Sequence, residues 1–267
     1  MRESGPAQLS DHYGMPKPAT RVDSTLSKGL RVLEVLVKSP NGGGVTEIAR
    51  ALGLSKSNAF RLLRSLTVLG YVRSMENKNY CATMKVWQLG QRIIEHLNLP
   101  KIAAPQLLEL SQKTEATVYL AVRDGLTVIY IDKIESSKPI RSFTPKGGNA
   151  PIHCVGTGKA LLAEEYGLLR EQVRGNLTRY TPITITSIEK LDSDMAATRE
   201  RGYAVDQGEY RDRIHSFGAA IRLPSGEAIA ALGVSEPDVN LGGDREHKIC
   251  LAVSDAAKTV SKTLAQM

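Results

Sequence analysis

The sequence predicts an α+β protein in two parts, an N-terminal winged helix-turn-helix and, beyond a linker helix, a larger α/β domain whose sheet is mainly antiparallel. Three observations carry that expectation. Two short helical patterns flank Gly53 between Val45 and Gly70, the net charge is confined to the first third of the chain, and from about residue 101 helical periods alternate with strand pairs closed by tight turns. At 267 residues and 42% hydrophobic content, the chain is long enough to bury two cores.

Residues 1–22, rich in Pro, Ser and Gly, read as a disordered tail. They hold no apolar run followed by a small-residue cleavage site, and no stretch approaches a membrane span, so a cytoplasmic protein is expected. Leu26, Leu30, Leu33 and Val37 then mark the apolar face of a first helix starting near Asp23, closed by Asn41-Gly42-Gly43-Gly44. Thr46 is placed to cap a second helix with Ile48, Ala49 and Leu52 inward, Gly53 makes the turn, and Ser55 caps a third. In that third helix Ala59, Leu62, Leu63, Leu66 and Leu69 recur at helical spacing. Lys56, Ser57, Asn58, Arg61, Arg64 and Ser65 are left outside, and Gly70 ends the helix. Tyr71–Arg73 and Tyr80–Ala82, around a turn-rich stretch, form a wing in which Arg73 and Lys78 can meet phosphates.

The outer face of the third helix is basic and hydrogen-bonding with no carboxylate, as a helix laid in the major groove of double-stranded DNA requires. Thr46, Ser55, Lys56, Ser57, Asn58, Arg61, Arg64, Arg73 and Lys78 are therefore the expected DNA-binding residues. Charge supports this independently: residues 1–85 hold 13 Lys and Arg against 6 Asp and Glu, residues 86–267 hold 22 of each, and the first part accounts for the whole formal +7.

Residues 23–83 thus form the DNA-binding domain and 84–99 the linker helix, in which Val86, Leu89, Ile93, Ile94 and Leu97 make an apolar stripe. That stripe packs either within its own domain or on a second subunit. Residues 100–267 form the second domain. Its expected elements are a helix through Leu107, Leu108 and Leu110, a hairpin of Thr117–Val122 and Thr127–Ile131, and a strand from Ile140 to Phe143. A helix opening at Gly156 follows, then one capped by Thr186 with Glu189 and stopping at Gly202. Strands Phe217–Leu223 and Ala228–Ser235 and a terminal helix through Ile249, Val253, Ala256, Val260 and Leu264 complete the domain.

Motifs along this order make the resemblance specific: Ile48 to Ser57 with Arg61-Leu62-Leu63, Trp87-Gln88-Leu89-Gly90, Pro151-Ile152-His153-Cys154 with Gly158 to Ala163, and Arg201 to Asp206. From about Val22 to its end the chain resembles the IclR family of bacterial transcriptional regulators. The resemblance implies a GAF-like effector-binding second domain and a homodimer or homotetramer on a near-palindromic operator. It further implies a repressor of a catabolic operon released by a small organic acid, aromatic acids included, or alternatively an effector-dependent activator. It places Gly156, Thr157, Asp206, Ile214, Ser216, Gly233 and Ser235 around the effector. Backbone donors at a helix start suit a carboxylate. Without the resemblance, those glycines serve turns and the serines sit on strand faces. The chain departs from the family pattern at Arg213, where glycine is usual, and at Ala220, where proline is usual; Arg213 and His215 either enter the pocket or point to solvent.

Enzyme motifs fail individually, and no cofactor or metal is expected. Gly156-x-Gly158 lacks the third glycine of a dinucleotide fingerprint, and Gly158-Lys159-Ala160 lacks the Ser/Thr and first glycine of a phosphate-binding loop. Ile214-His215-Ser216-Phe217-Gly218 lacks the glycine of a nucleophile elbow. Cys81, Cys154 and Cys250 are too far apart in sequence for a metal-ligand cluster.

Overall fold

The computed structural model describes residues 23–97 and 99–266, with side-chain surroundings undescribed for 91–98. The tail expected over 1–22, and Ile93, Ile94 and Leu97 of the linker stripe, lie outside that description. The chain divides into two compact units that meet at Leu97/Asn98.

In the N-terminal unit, α1 (Ser24–Val37) starts at Asp23, whose carboxylate accepts from the Leu26 N–H at 2.7 Å. Helices α2 (Val45–Leu52) and α3 (Lys56–Val68) are joined through Gly53, which takes the left-handed conformation at φ +63°. Strands β1 (Val72–Ser74) and β2 (Tyr80–Ala82) form the antiparallel wing, and Gly43 bridges Tyr80. The core is Val32, Leu36, Ile48, Leu52, Leu62, Leu63 and Val72.

The structure departs from three expectations in this unit. Thr46 does not cap α2. The cap is Gly44, whose N–H donates to the Glu47 carboxylate at 2.9 Å, leaving Thr46 exposed in the first turn. On α1 the buried face is Val32 and Leu36, while Leu26, Leu30 and Val37 are more than half exposed. Leu69 is also exposed, since α3 ends one residue before it and Gly70 turns the chain away at φ +77°. Helix α4 (Met84–Leu97) follows, with Met84, Trp87 and Leu89 exposed.

The C-terminal unit opens with α5 (Leu99–Thr114), in which Pro100 sits at the start, where its missing N–H costs no helical bond. Strands β3 (Thr117–Asp124) and β4 (Thr127–Ile134) make the first hairpin, and β5 (Asn149–Pro151) pairs with β4 at the sheet edge. Helices α6 (Gly156–Glu164), α7 (Tyr166–Arg174) and α8 (Ile188–Arg201) precede β6 (Ala204–Asp206), β7 (Ile214–Arg222), β8 (Ala228–Pro237) and α9 (Arg245–Leu264). The six strands run in the order β5-β4-β3-β8-β7-β6, every pair antiparallel.

Side-chain alternation along each strand builds two cores. Val118, Leu120, Phe217, Ala219, Leu232 and Val234 pack with α5 and α9. Tyr119, Ala121, Tyr130 and Ala231 pack with α6, α7 and α8.

The expected strand from Ile140 to Phe143 is a loop, because Pro139 and Pro145 at either side lack ladder donors. The loop is held instead by its Ser142 carbonyl, which accepts from the Thr117 hydroxyl at 3.2 Å. The cap of α8 is Ser187, accepting from the Lys190 N–H, and not Thr186, which accepts from Arg179. Helix α7 has no counterpart among the elements expected from the sequence.

Candidate nucleic-acid interface and ligand cavity

On α3, Ala59, Leu62 and Leu63 are turned into the core. That fixes Lys56, Ser57, Arg61, Arg64 and Ser65 on the outside, where all five are exposed, with Asn58 at the margin. Ser55 accepts from the Asn58 N–H at 3.3 Å, so its hydroxyl serves the helix start before any DNA contact. Arg73 is exposed on β1, and Lys78, at the tip of the wing, is held at φ +62°. No carboxylate falls between Glu47 and Glu76. Thr46, Arg61, Arg64, Arg73 and Lys78 therefore present hydroxyl and cationic groups from one continuous stretch of sequence. Phe60, half exposed on α3, is an apolar member of this face that charge counting missed.

In the second unit, the start of α6 sits directly on β7 and β8, an approach only glycine permits. A Cβ on Gly156 would lie 2.7 Å from the Phe217 backbone, one on Gly218 would collide with the Gly156 carbonyl, and one on Gly233 with Thr157 Cγ2. This close contact brings Thr157, Asp206, Ile214, Ser216, Gly233 and Ser235 into the lining of one small cavity of about 30 Å3. Gly156 lies behind that lining: its N–H donates to Ser216 Oγ at 2.9 Å, so of the two backbone donors expected at Gly156 and Thr157 the first is already used.

Ser216 in turn donates to Asp206 Oδ2 at 2.6 Å, and Asp206 Oδ1 accepts from the Gly208 and Glu209 N–H groups at 3.0 and 2.6 Å. Asp206 is only 2% exposed, and burial pushes its carboxyl up to about 6 despite these hydrogen bonds. Thr157 is 4% exposed and its Oγ1 has no hydrogen-bond partner, the Tyr130 phenol standing near without completing one.

Sequence reasoning missed Tyr119, Tyr130, Tyr210 and Arg211, which also line the cavity. The rings of Tyr119 and Tyr130 are 4.6 Å apart across β3 and β4, and the Tyr119 hydroxyl accepts from the Thr144 N–H at 3.1 Å. Arg211 lies over the Tyr210 ring and donates to the Phe143 carbonyl at 2.6 Å, tying two loops together at the rim. The inward-facing alternation of Tyr119 was readable from the strand pattern; the Arg211 position, in a loop, was not. Arg213 points to solvent and pairs with Asp238 at 3.1 Å, while His215, between Ile214 and Ser216 on β7, faces the opposite side of the sheet.

Below the cavity Lys159 is fully buried against Glu209 and Asp194, the latter at 2.9 Å. Burial alone would lower its ammonium, but the two carboxylates outweigh that and hold it above its ordinary value. It is thus a structural cation, unavailable to a phosphate. The neighbouring Cys154 thiol is pushed well up by burial and by Asp206, and buried His153 is committed to the Thr178 carbonyl at 3.1 Å; the two form no nucleophile–base pair. Among the described residues, no group of three His, Cys, Asp or Glu is placed to hold a metal ion, and no helix is long and apolar enough to cross a membrane.

Comparison with known proteins agrees with this layout. Residues 25–75 match the IclR helix-turn-helix domain, and residues 91–262 match the bacterial transcriptional regulator IclR C-terminal family. The chain is 33% identical over 252 residues to the transcriptional repressor IclR of Escherichia coli, covering 91% of each. It is 30% identical to the HTH-type transcriptional repressor AllR of Salmonella typhimurium, covering 94% of each. Among solved structures, the Thermotoga maritima IclR aligns with a TM-score of 0.75 at 28% identity, over 90% of this chain and 98% of that one. An IclR homolog from Microbacterium hydrocarbonoxydans, complexed with 4-hydroxybenzoate, shares the fold with a TM-score of 0.78 at 24% identity, over 90% of this chain and 99% of the other. Matched in order by both domain models and by a repressor over nine tenths of its length, the chain belongs to the IclR family of bacterial transcriptional regulators and is a DNA-binding regulator rather than an enzyme.

Proposed function

We propose that this regulator represses a catabolic operon and that a small organic acid, entering the cavity of the second unit, changes its affinity for operator DNA. One observation carries the reading. The chain that presents the carboxylate-free face of α3 also holds a small cavity with a buried, unpartnered hydroxyl, Thr157 Oγ1. An unsatisfied buried polar group costs about 1–3 kcal/mol, and a hydrogen-bonding ligand removes that cost. The names of its relatives, repressors among them, and the 4-hydroxybenzoate held by one structural neighbour favour repression and an acid effector.

In this reading residues 23–83 bind DNA, 84–99 connect, and 100–267 bind the effector. The protein acts as a homodimer or homotetramer, because one recognition helix reads too few base pairs for useful specificity. Exposed Leu26, Leu30 and Val37 on α1, with Met84, Trp87 and Leu89 on α4, supply apolar surface for that association. Fluorescence anisotropy on a DNA fragment selected by the protein from random sequence tests the proposal. Binding to a near-palindrome that weakens with organic acid supports repression released by effector. Binding that strengthens favours activation, and binding to no specific sequence refutes the reading.

A further inference from the structure

Between Lys56 and Ser65 the exposed residues of α3 are Lys56, Ser57, Phe60, Arg61, Arg64 and Ser65, and Phe60 alone among them is apolar. A single exposed apolar side chain needs no explanation in itself. The neighbours of this one make it informative. Lys56 stands four residues before it, Ser57 three before and Arg64 four after, so the ring occupies the middle of one strip of the helix surface, between two cations. It is 49% exposed, and among the described residues no aromatic ring pairs with it and no cation lies over its face. The exposed apolar groups assigned above to association, Leu26, Leu30 and Val37 with Met84, Trp87 and Leu89, belong to α1 and α4 and leave Phe60 unaccounted for.

What DNA can offer such a ring is restricted. Base edges in the major groove present hydrogen-bond donors and acceptors, and thymine alone adds a hydrocarbon group, its C5-methyl. Set against a phosphate or a polar base edge, a phenyl ring removes water and returns no hydrogen bond, which is unfavourable. Set against the methyl group, both surfaces leave water together, which is favourable. Resting on the reading that α3 lies in the major groove, we propose that Phe60 is a specificity-determining residue that reads a thymine methyl group. Lys56 and Arg64, on either side along the strip, hold the helix to the phosphates and carry no sequence information themselves. Arg61, next in the chain, supplies hydrogen bonds to a base edge, for which guanine is the usual partner of arginine. Each half-site is therefore expected to place a thymine within a few base pairs of the base that Arg61 contacts.

Deoxyuridine in place of thymidine removes the methyl group and leaves every hydrogen-bonding atom of the base in place, so single replacements along the selected operator test the contact. Anisotropy is measured with the full chain, as native protein and as Phe60→Ala, on each substituted duplex. At the thymine that Phe60 touches, the native protein is expected to bind the deoxyuridine duplex about fourfold more weakly, the value of burying one methyl group. Phe60→Ala should bind the two duplexes equally, and Phe60→Leu, which keeps an apolar contact, should retain a preference for thymine. A penalty of the same size in native and Phe60→Ala proteins reports DNA shape and not the ring. If every thymine behaves in that way, or if the half-sites contain no thymine, the proposal is overturned. Arg61→Ala, measured in parallel, separates the two levels. If it weakens binding while Phe60→Ala keeps the full thymine preference, α3 remains the reading helix and the role of Phe60 falls. If neither substitution alters affinity or base preference, both fall.

Discussion

Asp206 makes a prediction whose size follows from its surroundings. Its carboxyl titrates at about 6 in the folded chain against 3.8 for the ordinary side chain, so the folded state holds a proton more firmly than the unfolded one. Where the native state binds more protons, stability falls as pH rises. The loss therefore begins near pH 4, runs through pH 6 and is complete by about pH 7. Two units correspond to about 3 kcal/mol, and with only 2% of the residue exposed, solvent screening gives no reason to discount it. Asp206→Asn removes the titration while keeping an oxygen for the Gly208 and Glu209 N–H groups and an amide facing Ser216. Denaturant unfolding of both proteins from pH 4 to 8 gives the difference directly, with every other titrating group common to the two. The single tryptophan, Trp87, lies in the N-terminal unit, so ellipticity and tyrosine absorbance are the signals for the second unit. The variant is expected to gain on the native protein by a few kcal/mol between pH 4 and 7. A difference that stays constant within 1 kcal/mol would show that the Asp206 cavity is wetter than its geometry implies.

Three further outcomes are expected. Arg61→Ala should weaken operator binding by about 1–3 kcal/mol without changing stability, whereas Lys56→Ala and Arg64→Ala should weaken all DNA alike and each flatten the salt dependence by about one unit of slope; salt titrations of anisotropy read both. Gly156→Ala should cost about 1–3 kcal/mol because its Cβ meets Phe217 backbone at 2.7 Å, while Gly167→Ala, with nothing within 4 Å, should gain about 0.5 kcal/mol, a contrast visible in thermal melts. Glu209→Gln should destabilise by about 2 kcal/mol, less than the cost of stripping a buried ion of every partner, because Asp194 still faces Lys159 at 2.9 Å; equal stability in chemical denaturation would contradict the pairing.

The helix-turn-helix was legible because its information is local: a glycine turn, a serine cap and a 3.6-residue period fall within 25 residues of one another. Even there, the face of α1 was misread, since Leu26 and Leu30 satisfy the period as well as Val32 and Leu36 do, and only packing against α3 chooses between them. In the second unit the strand pairs were readable from alternation and turn residues, but the loop at Ile140–Phe143 was not, because two flanking prolines outweigh its β-branched and aromatic content. The cavity floor was reachable through motif resemblance. Its hydrogen-bond state was not, because Gly156 and Ser216 are 60 residues apart and their mutual satisfaction exists only once α6 lies on β7. Arg211 carries no periodic or motif signal. Its place at the cavity comes only from the fold of the loop that carries it.

The most direct test of a regulator whose DNA face and acid cavity are coupled is reciprocal binding. Operator affinity measured by anisotropy with and without 4-hydroxybenzoate, and 4-hydroxybenzoate affinity measured by calorimetry with and without operator, must change by the same factor; a tenfold effect is a coupling of about 1.4 kcal/mol. Thr157→Trp is a poor plug for this purpose, since Thr157 Cγ2 already packs where a Gly233 Cβ would be, so Ile214→Trp is used. Coupling between the two sites predicts equal factors in the native protein and none in the plugged one, with ligand-free operator affinity unchanged. Unequal factors in the native protein, or an effect that survives the plug, would contradict it.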